Sequence, residues 1–179
     1  MPRPSLAAAL ALAATLSGCG GQSLDDYAAG TPRLDLREYL DGPLAASGIF
    51  FGRSGEAELR FTVDMVGEWE GSTGTLAEDF VYSDGRTEQR TWTLTFTDDR
   101  NFTATAHDVE GEAVGAQSGS AATMRYRLRL KREGGDEITV SMEDWFYLTE
   151  DGTLINRARM SKFGVTVGEL IVTFRKLPR

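Results

Sequence analysis

The sequence predicts an all-β domain, an antiparallel up-and-down meander that closes into a barrel behind one short helix. Three observations predict it. Apolar and polar residues alternate with period two in successive segments from Gly48 onward. Turn signals separate most of these segments, at Arg53-Ser54-Gly55, Ser83-Asp84-Gly85, Asp98-Asp99-Arg100, Gly134-Gly135-Asp136 and Asp151-Gly152. No long crossover and no second helical pattern interrupts the series. Short turns make sequential strands antiparallel neighbours, and a long meander closes because closure removes its exposed edges.

The first element is a leader, residues 1–18. Arg3 is its only charge, and an apolar stretch runs from Leu6 to Leu16. That stretch suits a signal peptide and falls short of the roughly 20 residues that span a bilayer. Leu16-Ser17-Gly18-Cys19 has the pattern of a bacterial lipobox. The expected product is cut before Cys19 and acylated on its thiol, and Cys19 is the only cysteine in the chain. The membrane partner is then reached through the lipid, since several acyl chains make a stable anchor. Gly20-Gly21-Gln22 lacks the Asp associated with inner-membrane retention. The expected location is therefore the cell envelope, on the periplasmic face of the outer membrane.

Residues 19–33 are small and polar and read as a lipidated tether. Residues 34–179 form the single folded domain. It opens on a short helix, with Asp35 and Glu38 in a capping-box pattern and Leu34 and Tyr39 as a hydrophobic staple. Gly42-Pro43 stops that helix. Strands are predicted near 48–53, 57–66, 75–82, 88–97, 101–109, 112–117, 122–131, 137–148, 153–162 and 165–175.

Composition excludes several functions. The chain carries a net charge of −8, and loss of Arg3 on maturation deepens it. Such a surface does not favour nucleic acid or anionic headgroups. With one His and one Cys, and no HExxH or EF-hand loop, no metal site is expected. No phosphate-binding glycine loop and no serine nucleophile motif is present, so no cofactor is expected.

Strand alternation sorts side chains onto two faces. In 122–131, Met124, Tyr126, Leu128 and Leu130 face inward, while Arg125, Arg127, Arg129 and Lys131 form an outer basic stripe. Elsewhere polar groups fall on the apolar face. Glu78 shares it with Leu76, Phe80 and Tyr82, and Arg90 shares it with Trp92, Leu94 and Phe96. A three-residue loop at Ser83-Asp84-Gly85, with Gly85 left-handed, sets Glu78 directly opposite Arg90. Asp108, Asp144, Asn156 and Lys162 join the same inner surface. His107 alternates outward. Glu143 and Asp144 are adjacent in a strand and point to opposite faces, so they cannot act as a side-by-side acid/base pair.

Buried charges must pair, titrate or meet water. Two explanations of the inner polar set stay open: a network that fixes strand register, or a ligand cavity with a few convergent polar groups. On the second, the domain is a non-enzymatic binder of a small hydrophobic or amphipathic molecule. Phe80, Tyr82, Trp92, Phe96 and Tyr126 would line the wall, and Arg90 or Lys162 would face a carboxylate. Such a site calls for a cavity of at least about 300 Å³ that reaches solvent. The alternatives are an enzyme acting on an envelope lipid, with Glu78, Asp108 or Asp144 as acid/base, and a structural or interaction protein of the outer membrane.

Several segments together resemble an uncharacterised family of small proteobacterial lipoproteins, a domain of unknown function. They are Pro32-Arg33-Leu34-Asp35-Leu36; Glu78-Asp79-Phe80 with Tyr82 and Asp84-Gly85; Arg90 with Trp92; Asp108-Val109, Gly111 and Gly115; Glu143-Asp144-Trp145; Asn156; and Lys162-Phe163-Gly164. The likeness covers roughly residues 32–175, with Ser120 and Glu143 as departures from the usual Asn and Asp. The resemblance implies a fold similar to the calycins, a lipocalin-like barrel, and a fatty acid or lipid derivative as ligand. It implies no catalytic residue.

Overall fold

The computed structural model describes residues 21–131 and 134–178. The leader and Cys19 lie outside the described residues. Ten antiparallel strands form one closed barrel in simple meander order, β1 completing the ring against β10. They are β1 Gly42–Gly52, β2 Ala57–Glu70, β3 Thr73–Tyr82, β4 Thr87–Phe96, β5 Asn101–Thr105, β6 Ala113–Ser118, β7 Ala121–Lys131, β8 Glu137–Leu148, β9 Leu154–Lys162 and β10 Val165–Lys176. Among the described residues no helix is long and apolar enough to cross a membrane.

The predicted helix is a single turn, α1, Leu36–Tyr39. Asp35 caps it, its carboxylate accepting from the Arg37 amide at 2.9 Å and from the Arg37 guanidinium at 2.7 Å. Leu34 and Tyr39 are buried in the core cluster. The chain then enters β1 at Gly42, six residues earlier than the alternation suggested. Pro43 is tolerated there because it stands at the very start of the strand.

α1 closes one end of the barrel. The Tyr39 hydroxyl accepts from the Leu154 amide at 3.1 Å and lies 2.9 Å from the carbonyls of Gly152 and Phe174. Gln117, buried on β6, accepts from the Leu36 amide at 2.9 Å and donates to the Asp99 carbonyl at 3.0 Å. Gly67 allows the close approach: a Cβ there would stand 1.7 Å from the Leu40 carbonyl oxygen. The opposite end is rimmed by the turns after β1, β3, β5, β7 and β9.

The segment read as a tether differs from that expectation over its described part. Leu24–Tyr27 forms a 3-10 turn capped by Ser23, and Leu24 is buried. The Tyr27 ring packs against Trp145 and Tyr147 at 6.1 and 5.5 Å. The polar stretch holds just these large apolar groups, and the barrel offers a surface that buries them.

β5 also differs. It ends at Thr105, and the chain turns at Ala106–Val109 before a single bridge to Leu128. This turn carries Asp108 inward at the rim.

Candidate functional site

The site begins with a register. Tyr82 and Arg86 flank the Ser83-Asp84-Gly85 loop, with the Tyr82 amide donating to the Arg86 carbonyl at 2.9 Å. Gly85 has φ 89°, a left-handed conformation that favours glycine. The β3–β4 pairing that follows sets Glu78 opposite Arg90. The two side chains stand 3.9 Å apart, nearly buried at 10 and 15% exposure. Asp108 reaches the same guanidinium from the β5–β6 turn, at 3.0 Å from Nε and 2.9 Å from Nη2. The Phe80 and Trp92 rings flank Arg90 at 5.4 and 5.7 Å. Its cation is thus saturated on both sides. Burial opposes the charge on Arg90, yet the Glu78 and Asp108 carboxylates outweigh that effect and hold its pKa up.

β7 and β8 add a second polar group. Tyr126 packs edge-on to Trp92 at 5.3 Å and donates to Asp144 Oδ2 at 3.4 Å. Asn156, buried on β9, donates to the Trp145 carbonyl at 3.3 Å. Burial pushes the Asp144 carboxyl up to about 7, against the Tyr126 hydrogen bond and the Arg90 charge. Burial likewise pushes Glu78 up to about 7, with Arg90 opposing and Asp108 adding to the rise. Burial raises the Tyr126 phenol well above its usual value. Three carboxylate oxygens here, Glu78 Oε2, Asp108 Oδ1 and Asp144 Oδ1, are buried without a hydrogen-bond partner.

These groups edge a cavity of about 140 Å³ inside the barrel. Glu78, Arg90, Asp144 and Asn156 line it, with Phe80, Trp92 and Tyr126 in the wall. The rest is apolar, including Leu36 and Leu40 of the α1 end, Met124, Met142, Phe146 and Phe174. Alternation did not single out these last four as wall residues, though all fall on its inward face. Gln117 was also missed, and its signal was a polar side chain in phase with inward Ala113 and Gly115. The volume is about half the 300 Å³ expected of a binder. It is close to the roughly 150 Å³ that accepts one benzene-sized molecule.

Four predicted site residues lie elsewhere. Asp108 touches Arg90 and does not line the cavity. Lys162 ends β9, where the chain reverses through Phe163 and Gly164, and its amine lies 5.5 Å from the exposed Phe163 ring. Tyr82 sits at the rim, its hydroxyl donating to Glu88 at 3.0 Å. Phe96 lies under α1, 5.0 Å from Phe102 and 4.9 Å from the Arg37 guanidinium. Alternation fixes which face a side chain takes but not its height along the barrel. Glu143 points outward to Arg125, as expected. Among the described residues, Glu88, His107 and Asp108 bring metal-competent atoms within 4.8 Å of one another. Asp108 is already held there by Arg90.

The chain belongs to the family described as protein of unknown function (DUF3833), whose model matches residues 13–176. No curated protein matches it. Two solved structures share the barrel. A structure of the S-type phycobiliprotein lyase CPES from Guillardia theta is similar at TM-score 0.53 and 8% identity, covering 80% of this chain and 92% of that one. The crystal structure of Rv2717c from M. tuberculosis is similar at TM-score 0.56 and 14% identity, covering 83% and 99%. At such identities the likeness concerns fold alone.

Proposed function

We propose that this DUF3833 protein is a lipid-anchored barrel of the cell envelope that binds one small amphipathic molecule, without catalysis. The observation that carries the reading is the cavity of about 140 Å³, apolar except for the edge formed by Glu78, Arg90, Asp144 and Asn156. An apolar wall with a few convergent polar groups is the usual makeup of a small-molecule site. The anchor rests on the lipobox at Cys19. It would keep the barrel beside its bilayer, on the periplasmic side of the outer membrane.

The polar edge narrows the ligand. Arg90 is engaged by Asp108 and Glu78, so a carboxylate would compete with two resident acids. Among the groups lining the cavity, the oxygens without a hydrogen-bond partner are Asp144 Oδ1 and Glu78 Oε2, the latter facing Arg90 at 3.9 Å. While these carboxyls are ionised, a hydroxyl or other donor satisfies them and a carboxylate does not. The fitting group is therefore a short apolar segment ending in a donor, as in a hydroxylated lipid derivative. A whole fatty-acid chain exceeds the volume.

Titration with 1-butanol tests this, read on the indole N–H resonance of Trp92. Butanol shifts that resonance, butyrate does not, and Ala158→Phe abolishes the response by filling the wall. An unresponsive Trp92 rejects the site. The acid/base reading has one observation in its favour, the two carboxyls pushed up to about 7. Full complementation of a knockout by Glu78→Gln and Asp144→Asn variants excludes those two groups from any chemistry.

A further inference from the structure

The outer face of β7–β9 carries an excess of arginine on a chain of negative net charge, although Arg127 there is already paired with Glu110 at 3.2 Å. Arg125, Arg127 and Arg129 alternate outward on β7, and Arg157 and Arg159 on β9. The register sets Arg125, Glu143 and Arg159 in one row, and Trp145 beside Arg157 in the next. A surface cleft of about 260 Å³ opens there, lined by Gly21, Gln22, Arg125, Glu143, Trp145, Tyr147, Arg157 and Arg159. Its three guanidiniums are each more than half exposed. Within the cleft two of them share the single carboxylate, Glu143, which Arg125 contacts at 2.6 Å and Arg159 at 3.8 Å. Arg157 pairs with Glu169 beside it. Trp145 and Tyr147 stack at 6.2 Å, and the Gln22 side chain reaches the Tyr147 hydroxyl.

The position of the cleft matters as much as its charge. The chain passes through it at Gly21, two residues from Cys19. Two residues reach about 7 Å at most. We propose that this cleft seats the phosphate of an anionic phospholipid headgroup, in the leaflet that holds the chain, so that the β7–β9 face lies down on the membrane. The inference rests on the anchor reading for its geometry. Guanidiniums match phosphate oxygens in planar forks, and Trp and Tyr favour the headgroup level. The net charge of −8 argues against anionic lipid for the surface on average. The same acidity repels the remaining surface from an anionic bilayer, which leaves this face as the one that approaches.

The test uses residues 20–179, which hold every described element and close the barrel without Cys19. The protein is mixed with vesicles of phosphatidylcholine alone, or with added phosphatidylglycerol. It co-sediments with the second kind, and raised salt releases it. Replacing Arg125, Arg157 or Arg159 by Gln weakens partitioning about fivefold each, the equivalent of about 1 kcal/mol per cation. Equal sedimentation with both vesicles overturns the proposal. So does retention that salt leaves unchanged in the unmodified protein, a readout that no misfolded variant can confuse. If inorganic phosphate alone perturbs Trp145 and vesicles are not bound, the cleft takes a soluble anion and the membrane assignment falls. Mass analysis of Cys19 is separate. An unacylated Cys19 removes the anchor, while the vesicle result still decides the cleft.

Discussion

Arg90 is the residue on which the interior depends. It is the shared partner of Glu78 and Asp108, and its charge also eases Asp144. Arg90→Met fills similar space and leaves Asp108 buried without its cation. Removing one partner of a buried pair costs about 3–5 kcal/mol. Urea unfolding at neutral pH should register a loss of that size, much of it recovered when Asp108→Asn is added. A second prediction concerns pH. Glu78 and Asp144 titrate near 7 in the fold, against ordinary values of 4.5 and 3.8. The native state therefore holds more protons than the unfolded chain between about pH 4 and 7, and stability falls as pH rises through that window. Asp35 and Glu143, held below their usual values by Arg37 and Arg125, act in the opposite sense but only at lower pH. The urea midpoint should drop from pH 5 to pH 8, and Asp144→Asn should flatten the slope. A midpoint that rises over this range contradicts the burial of both carboxyls.

At the scale of elements, α1 is the plug and Tyr39 its pin. The Tyr39 hydroxyl is the partner of the Leu154 amide, and Leu154 is fully buried. Tyr39→Phe leaves that amide without its acceptor, a loss of about 1–3 kcal/mol. Hydrogen exchange at Leu154 should quicken in step with the drop in urea midpoint, and unchanged exchange would deny the pin. The plug was half legible in sequence. Asp35 announces the cap, and Leu34 and Tyr39 announce the buried side. Nothing local says that a four-residue helix will lie across a barrel end, because that follows from Gly67 and Gln117 on distant strands. The Glu78–Arg90 row was fully legible, since turn length and alternation determine register together. Lys162, Tyr82 and Phe96 were not placed correctly, because alternation repeats unchanged along a strand while the cavity occupies only its middle. Leu24 and Tyr27 lay in a segment too polar to show periodicity, so their docking had no pattern to reveal it.

Over the whole molecule, closure decides what the chain can do. Pairing of β1 with β10 removes both sheet edges and encloses the interior. The barrel then presents two distinct surfaces: an inner one that is apolar with acceptors at one edge, and an outer β7–β9 face that is basic beside the chain's entry. Native mass spectrometry of the protein purified from its own envelope decides whether the interior holds a small molecule. The expected spectrum shows a chain beginning at acylated Cys19, with one further non-covalent adduct small enough for a cavity of about 140 Å³ and absent from Ala158→Phe. A chain that carries no adduct, or one whose adduct survives Ala158→Phe, contradicts it.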